Sequence, residues 1–236
     1  VYNNLGIAYK ENLDYDNSLL FYKKARQYAK NDFAIMTLEN NIAAVYTLSH
    51  QPQKALAILL PLEQSQSPDK NAKISALISN NIGLAYLELD DSKSLPYFLK
   101  GLDLRQKDQD AQGVIGSHAH LAHYYKTKNV SLAKKHALKS HEDATRTGLA
   151  EERLKALELL ATTSTGKESN AYLESYFLLN DSLAKAKQKN KNQFAKMRYD
   201  FSQQMEQNQL LKTQEVEQIL KIANSRNQIL ILIILG

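Results

Sequence analysis

One short motif returns along the chain: an aliphatic residue, a small residue, then an aromatic three positions on, each time followed by a second apolar stretch. Leu5-Gly6-x-x-Tyr9, Ile42-Ala43-x-x-Tyr46, Ile82-Gly83-x-x-Tyr86 and Leu121-Ala122-x-x-Tyr125 are four clear copies, and Leu160-Ala161-x-x-Ser164 is a decayed fifth. Their small residues, at 6, 43, 83, 122 and 161, are separated by 37, 40, 39 and 39 positions. A period of that length means one supersecondary unit repeated, each copy too small to bury its apolar face alone and therefore stacked on its neighbours. Such a stack offers an extended surface rather than a reaction centre, which directs the functional reading toward binding.

The second stretch of each copy carries its own echo. Ser18, Tyr22 and Ala25 have counterparts in Ala55, Leu59 and Leu62, in Ser94, Phe98 and Gly101, and in Ala133, Ala137 and Ser140. Steps of four and then three put each trio on one helical face, with small residues allowing close approach around a larger middle one. Apolar residues recur at three and four rather than alternating, which predicts helices and no strands. Pro52 and Pro96 fall near predicted helix starts, where a missing amide is tolerated. Pro61 is predicted to kink or end its helix, and Ser67-Pro68-Asp69, Gly148 and Gly166-Lys167 mark turns.

This pattern resembles the tetratricopeptide repeat, whose consensus runs Trp or Tyr, Leu-Gly, Tyr, then Ala, Phe and Ala. Tyr2, Leu5, Gly6, Tyr9, Ser18, Tyr22 and Ala25 follow that order. HEAT and armadillo repeats share the period, but the Leu-Gly-x-x-Tyr signature favours an elongated tetratricopeptide unit. The resemblance implies an all-α, right-handed helical solenoid over residues 1–180, with about five units, the first truncated and the last decayed.

Beyond it, residues 181–228 read as a long linker helix, since Lys167 to Leu235 contains neither Gly nor Pro. Phe194, Met197 and Phe201, and again Val216, Ile219 and Ala223, follow coiled-coil-like steps that would let two chains pair as a homodimer. The apolar run Ile229-Leu230-Ile231-Leu232-Ile233-Ile234-Leu235 is too short to span a bilayer, which takes about 20 residues, and residues 229–236 are read as the start of a truncated transmembrane helix. The net charge is +5, and residues 181–236 hold nine Lys or Arg against five Asp or Glu, so most of the excess lies there. Without an aromatic platform or recognition helix this basicity reads as a solvated face, and no nucleic-acid partner is expected. Zero Cys excludes disulfides and thiolate metal sites.

Tyr176-Phe177-Leu178-Leu179-Asn180-Asp181-Ser182-Leu183, then Lys191-Asn192-Gln193-Phe194-Ala195-Lys196-Met197-Arg198-Tyr199-Asp200, then a polar helix into an aliphatic run, is similar to the junction of membrane-bound, tetratricopeptide-containing sensor histidine kinases of Bacteroidetes. The resemblance implies a two-component sensor module, anchored in a bacterial inner membrane with its repeats on the periplasmic side. Related arrays precede a helix-turn-helix transcriptional regulator or a diguanylate cyclase, and a non-enzymatic scaffold or adaptor is a further alternative.

No phosphate loop, Ser-His-Asp pattern or paired carboxylate site is legible, so no catalytic residue and no cofactor is assigned. His120 and His123 are three apart on one helix, but with no acidic or Cys partner near in sequence no metal is assigned. The residue-level expectation is a peptide groove on one flank of the first helices, at about 100° per residue from the packed face. It comprises Asn3, Ile7 and Lys10, then Asn40, Ala44 and Thr47, then Asn80, Leu84 and Leu87, and finally His123 and Lys126. The doublets Asn3-Asn4, Asn40-Asn41 and Asn80-Asn81 recur although Asn is a mediocre helix former. Their amides are read as holding an extended peptide backbone, the alternative being bonds between neighbouring helices.

Overall fold

The computed structural model describes the backbone of residues 1–65 and 71–235, and the side chains of that range except 190–202, 205 and 215–235. The described residues are helical throughout, with no strand: α1 (Tyr2–Glu11), α2 (Tyr15–Gln27), α3 (Asp32–Leu48), α4 (Pro52–Gln64), α5 (Ala72–Glu88), α6 (Ser94–Lys107), α7 (Ala111–Tyr125), α8 (Val130–Thr147), α9 (Ala150–Thr163) and α10 (Gly166–Leu235). The odd-numbered helices carry the aliphatic–small motif, and α2, α4, α6 and α8 the trio. From α1 to α9 each packs on the next in sequence, and α3 also touches α5, α5 touches α7 and α7 touches α9.

Local chemistry starts and stops these helices. Asp14, Asn31, Asn71, Asp110 and Asn129 sit at helix N-caps, each accepting from the backbone N–H three residues on, at 2.8 to 3.3 Å. Each cap satisfies an otherwise orphaned donor and contributes about 1 kcal/mol. Pro52 opens α4, and the helix runs through Pro61 to Gln64, only its last turn lying beyond the proline. The predicted turn at Ser67-Pro68-Asp69 lies outside the described residues.

The turns inside the first three repeats share one geometry. Leu13, His50 and Asp90 are left-handed, with φ of 60°, 57° and 51°. Asp14, Gln51 and Asp91 each donate a backbone N–H to Tyr9, Tyr46 and Tyr86 at 2.9, 2.8 and 2.9 Å. Leu13, His50 and Asp90 donate to Lys10, Thr47 and Leu87 at 3.0, 3.1 and 2.9 Å. This paired bonding is the Schellman termination that ordinarily uses glycine, and here a side chain is kept at the left-handed position in all three turns.

The core explains the motif. Tyr22, Leu59, Phe98 and Ala137, the middle residues of the trios, are fully buried, as are Ser18, Ala55, Ser94 and Ala133. A Cβ on Gly6 would lie 2.6 Å from the Tyr22 ring, and one on Gly83 would lie 2.7 Å from the Phe98 ring. Where the middle residue is smaller, as at Leu59 and Ala137, the motif position carries Ala43 and Ala122 in the same clusters. Burying a side chain the size of Phe98 contributes about 1.5–3 kcal/mol, and the glycine is what lets it reach full burial. Beside this core, Tyr9 stacks on Phe21, Tyr86 on Tyr97 and Tyr125 on His136, at 5.2, 5.8 and 5.8 Å between ring centres.

By its internal contacts the chain divides into two compact bodies, Val1–Asn180 and Asp181–Gly236. The first holds α1–α9 and the opening turns of α10, where Ser169 Oγ donates to the Ala161 carbonyl at 2.7 Å, as Ser18 Oγ does to Gly6 at 2.8 Å. Phe194, Met197 and Phe201, Val216, Ile219 and Ala223, and the run Ile229–Leu235 lie on α10 but outside the residues whose side chains are described. Among the described residues no helix is long and apolar enough to cross a membrane, so the transmembrane expectation rests on the sequence run alone.

Candidate ligand-binding groove

A groove of about 1150 Å³ is lined by the odd-numbered helices. Its residues come from the C-terminal halves of α1, α3, α5 and α7 and the turns just after them, with Lys155 reaching in from α9. Ala44, Leu48, Leu84 and Leu87 give it an aliphatic floor. Of the residues expected there from sequence, Lys10, Ala44 and Thr47 line one part, and Leu84, Leu87, His123 and Lys126 the other. These are positions one and four after the motif's small residue, and they fall together because 100° and 400° of rotation differ by only 60° around the helix.

The asparagines are placed differently. Asn40 and Asn80 are buried, 3% and 2% exposed, and neither lines the groove. Asn81 Nδ2 donates to Asn40 Oδ1 at 2.9 Å, and Asn41 Nδ2 to Asn3 Oδ1 at 3.4 Å. The doublets therefore form a ladder between successive repeats, the second amide of one doublet bonding the first of the one before. Asn80 ends the ladder on a different partner. With its amide oxygen turned toward the guanidinium it accepts from Arg105 Nη2 at 2.8 Å. Arg105 is 7% exposed and also donates to the Gly113 carbonyl and Ser117 Oγ, both at 2.8 Å. Gly101 makes room for this junction, since a Cβ there would meet the Asn80 amide at 2.5 Å. The structure thus places Asn40 in a bond to the following repeat and Asn80 in a bond to α6 of its own repeat: a buried amide in close-packed helices must find a partner, and here a neighbouring helix supplies it. Asn3 is half-buried, and Ile7 packs against the core around Tyr22 and Ile42.

Several groove residues were not read from the sequence. Leu48, Asn81, Glu88 and His120 line it at positions five after or two before the motif's small residue, a wider arc than the flank considered. His50 and Asp90 stand on its rim in the left-handed turns, and no glycine marks those turns. Each joins the following repeat: His50 Nδ1 lies 2.5 Å from Glu88 Oε1, and Lys128 Nζ donates to Asp90 Oδ1 at 2.9 Å. The signal available was the coincidence of their spacing from the motif, seven residues after Ala43 and after Gly83. Lys155 is held by Glu152 at 3.0 Å.

Two histidines of α7 are neutral at pH 7 for a physical reason. His120 lies against the Phe98 ring at 5.7 Å, its Nδ1 is shielded without a hydrogen-bond partner, and burial, with Arg105 nearby, pushes its pKa down to about 4. His118, buried with its Nδ1 3.0 Å from His136 Nδ1, is lowered to about 4 by burial and then by that neighbour. Among the described residues no group of three His, Cys, Asp or Glu side chains is placed to hold a metal ion.

Two solved structures align with most of the chain. A crystal structure of the nearly identical TPR-like repeats of a putative kinesin light chain from Podosopora anserina superposes with a TM-score of 0.55 at 14% identity, covering 77% of this chain and 94% of that one. Another crystal structure of those repeats gives a TM-score of 0.57 at 14% identity, covering 78% and 95%. The fold is that of TPR-like repeats. At this identity the likeness concerns the fold alone. No family model and no curated protein matches the sequence. The groove follows the odd-numbered helices that repeat the motif.

Proposed function

We propose that the chain is a peptide- or protein-binding module that holds its ligand along the groove, and that it serves as the sensor part of a membrane-anchored signalling protein. The observation that carries the binding reading is the groove itself: equivalent positions of successive repeats converge on one continuous cleft with an aliphatic floor and a polar rim. Burying ligand side chains over Leu84 and Leu87 supplies affinity, while the rim supplies orientation. Support for anchoring comes from the run Ile229–Leu235, and support for a histidine-kinase output from the junction sequence Tyr176 to Asp200; both lie apart from the groove and stand or fall separately.

A displayed peptide library selected on the purified chain tests the binding reading. Selected peptides should lose at least about tenfold in affinity on Leu84→Asp, and none on Leu20→Asp, an exposed leucine of α2 that does not line the groove. Equal loss from both substitutions, or from neither, would remove the groove as the site. For anchoring, the protein bearing this chain should sediment with membranes after gentle lysis. Its recovery in the soluble fraction would end that part of the proposal and leave the groove untouched.

A further inference from the structure

The groove's charges are not all equally available. Four of its charged side chains are engaged within the molecule: Lys128 and Asp90 with each other at 2.9 Å, Glu88 with His50 at 2.5 Å, and Lys155 with Glu152 at 3.0 Å. Lys10 of α1 and Lys126 at the end of α7 line the same cleft, are half-buried, and have no carboxylate partner among the described residues. Between them lies the aliphatic floor of Ala44, Leu48, Leu84 and Leu87. The cleft thus presents an unpaired cation toward each end of an apolar strip, while each groove carboxylate, Glu88 and Asp90, is already bonded to a neighbour of its own.

We infer that the preferred ligand is an extended peptide with an aliphatic middle and an acidic side chain on each flank, one carboxylate meeting Lys10 and the other Lys126. This rests on the proposed binding function and names its ligand class. A basic peptide would have to break the pairs at Glu88 or Asp90 to find a counter-charge, while a purely apolar one would leave two partly desolvated ammonium groups without acceptors. Geometry sets the spacing. Lys10 and Lys126 are separated by the steps α1 to α3, α3 to α5 and α5 to α7, and neighbouring helices lie about 8–10 Å apart. Three steps make about 25–30 Å, which an extended chain rising about 3.3 Å per residue covers in about eight residues. The acidic residues should therefore stand about eight positions apart.

The test uses fluorescein-labelled synthetic peptides and the whole chain, read by fluorescence anisotropy. One peptide places seven mostly aliphatic residues between two aspartates; others replace the aspartates by serine or by lysine, or shorten the middle to three residues. The acidic peptide should bind about tenfold more tightly than the serine peptide at low salt, the advantage shrinking in 0.5 M salt, and the shortened peptide should lose about half of that advantage on a logarithmic scale. Lys10→Glu and Lys126→Glu, each checked for unchanged helicity, should each weaken the acidic peptide about threefold to fivefold. Together they should reverse the preference toward the lysine-flanked peptide. Serine- or lysine-flanked peptides binding the native chain as well as the acidic one, or an acidic preference that survives the double reversal, would overturn the inference. If all peptides bind regardless of flanks and all are lost on Leu84→Asp, the groove remains a peptide site and only the acidic pattern is removed. If none binds, the inference falls together with the binding reading beneath it.

Discussion

The third and fourth repeats follow one helical plan with opposite interiors. In the third, Phe98 fills the centre and Gly83 yields the space, so the core is a large ring seated on bare backbone. In the fourth, the centre is Ala137, the motif residue is Ala122, and Leu160 from α9 closes the cluster with Leu138, Leu159 and Tyr172 around it. Where one aromatic fills the centre of the third repeat, the small centre of the fourth is closed by Leu160 of the next repeat, while imidazoles occupy its flanks. His136 stands where the third repeat has Tyr97, and His118 and His120 project from α7. A repeat can conserve its backbone while shifting its stability from apolar packing toward groups that titrate.

Acid should separate the two most strongly. The folded-state values of His118 and His120 are lowered to about 4, in both cases chiefly by burial, then by His136 and by Arg105 respectively. His118 also faces Lys139 and Asp143, and His120 faces Lys155 and His123. For a base depressed in the folded state, both states are neutral above the unfolded value of about 6.5, and the full stability is present there. As pH falls below that value the unfolded chain gains protons first, so stability is lost progressively down to about 4. At pH 5 the loss is on the order of 2 kcal/mol for each histidine, about 4 together. The third repeat, residues 72–107, contains no histidine. Amide hydrogen exchange, corrected for intrinsic rates, should show α7 and α8 losing protection between pH 7 and 5 while α5 and α6 keep theirs. Uniform loss along the array would refute the contrast.

The next largest effect should come from making the third repeat's motif like the fourth's. Gly83→Ala drives a methyl toward a fully buried Phe98 ring and should destabilise by about 2 kcal/mol in spite of alanine's better helix propensity. Adding Phe98→Leu recreates the pairing of Ala43 with Leu59, so the double variant should be more stable than the sum of the two single effects by at least about 1 kcal/mol. Chemical denaturation of the four proteins measures the coupling. Strict additivity would mean that glycine is not there to admit the ring.

Much of this was legible beforehand. The period and the trio steps located Tyr22, Leu59 and Phe98 in the core, because burial and helical spacing both act on the side-chain pattern. The cleft was legible in part: rotation about the helix brings Leu84, Leu87, His123 and Lys126 to one side, where they line it, but it fixes an angle and not a height. Asn40 and Asn80 share that angle and lie about one turn nearer the N-terminus, where neighbouring helices meet, so Asn40 bonds to Asn81 of the next repeat and Asn80 to Arg105 of α6. Arg105 was not legible either, since an arginine on an even-numbered helix reads as a surface charge until Asn80, Ser117 and the Gly113 carbonyl are brought around it. Asn80→Ala, which removes one acceptor from the buried guanidinium, should therefore destabilise by about 1–2 kcal/mol. Its peptide affinity, measured well below the melting temperature, should stay unchanged. An unaltered melt with lost binding would return Asn80 to the groove.

The smallest effect concerns the turns, which the first repeat shares with the second and third but decorates differently. His50 and Asp90 offset the strain of their left-handed backbone with bonds to Glu88 and Lys128, whereas Leu13, at φ 60°, is 71% exposed and has no such pairing. A left-handed conformation costs a side-chain-bearing residue about 1–2 kcal/mol, while glycine gives up about 0.5–1 kcal/mol through its greater freedom in the unfolded chain. Leu13→Gly should thus stabilise by about 0.5 kcal/mol, visible as a rise of about 1–2 °C in Tm. His50→Gly and Asp90→Gly gain the same backbone relief but lose a contact to the following repeat, so their net change should be near zero or negative. The difference among the three variants measures what the rim side chains contribute. If His50→Gly and Asp90→Gly stabilise as much as Leu13→Gly does, the bonds to Glu88 and Lys128 contribute nothing to holding the repeats together.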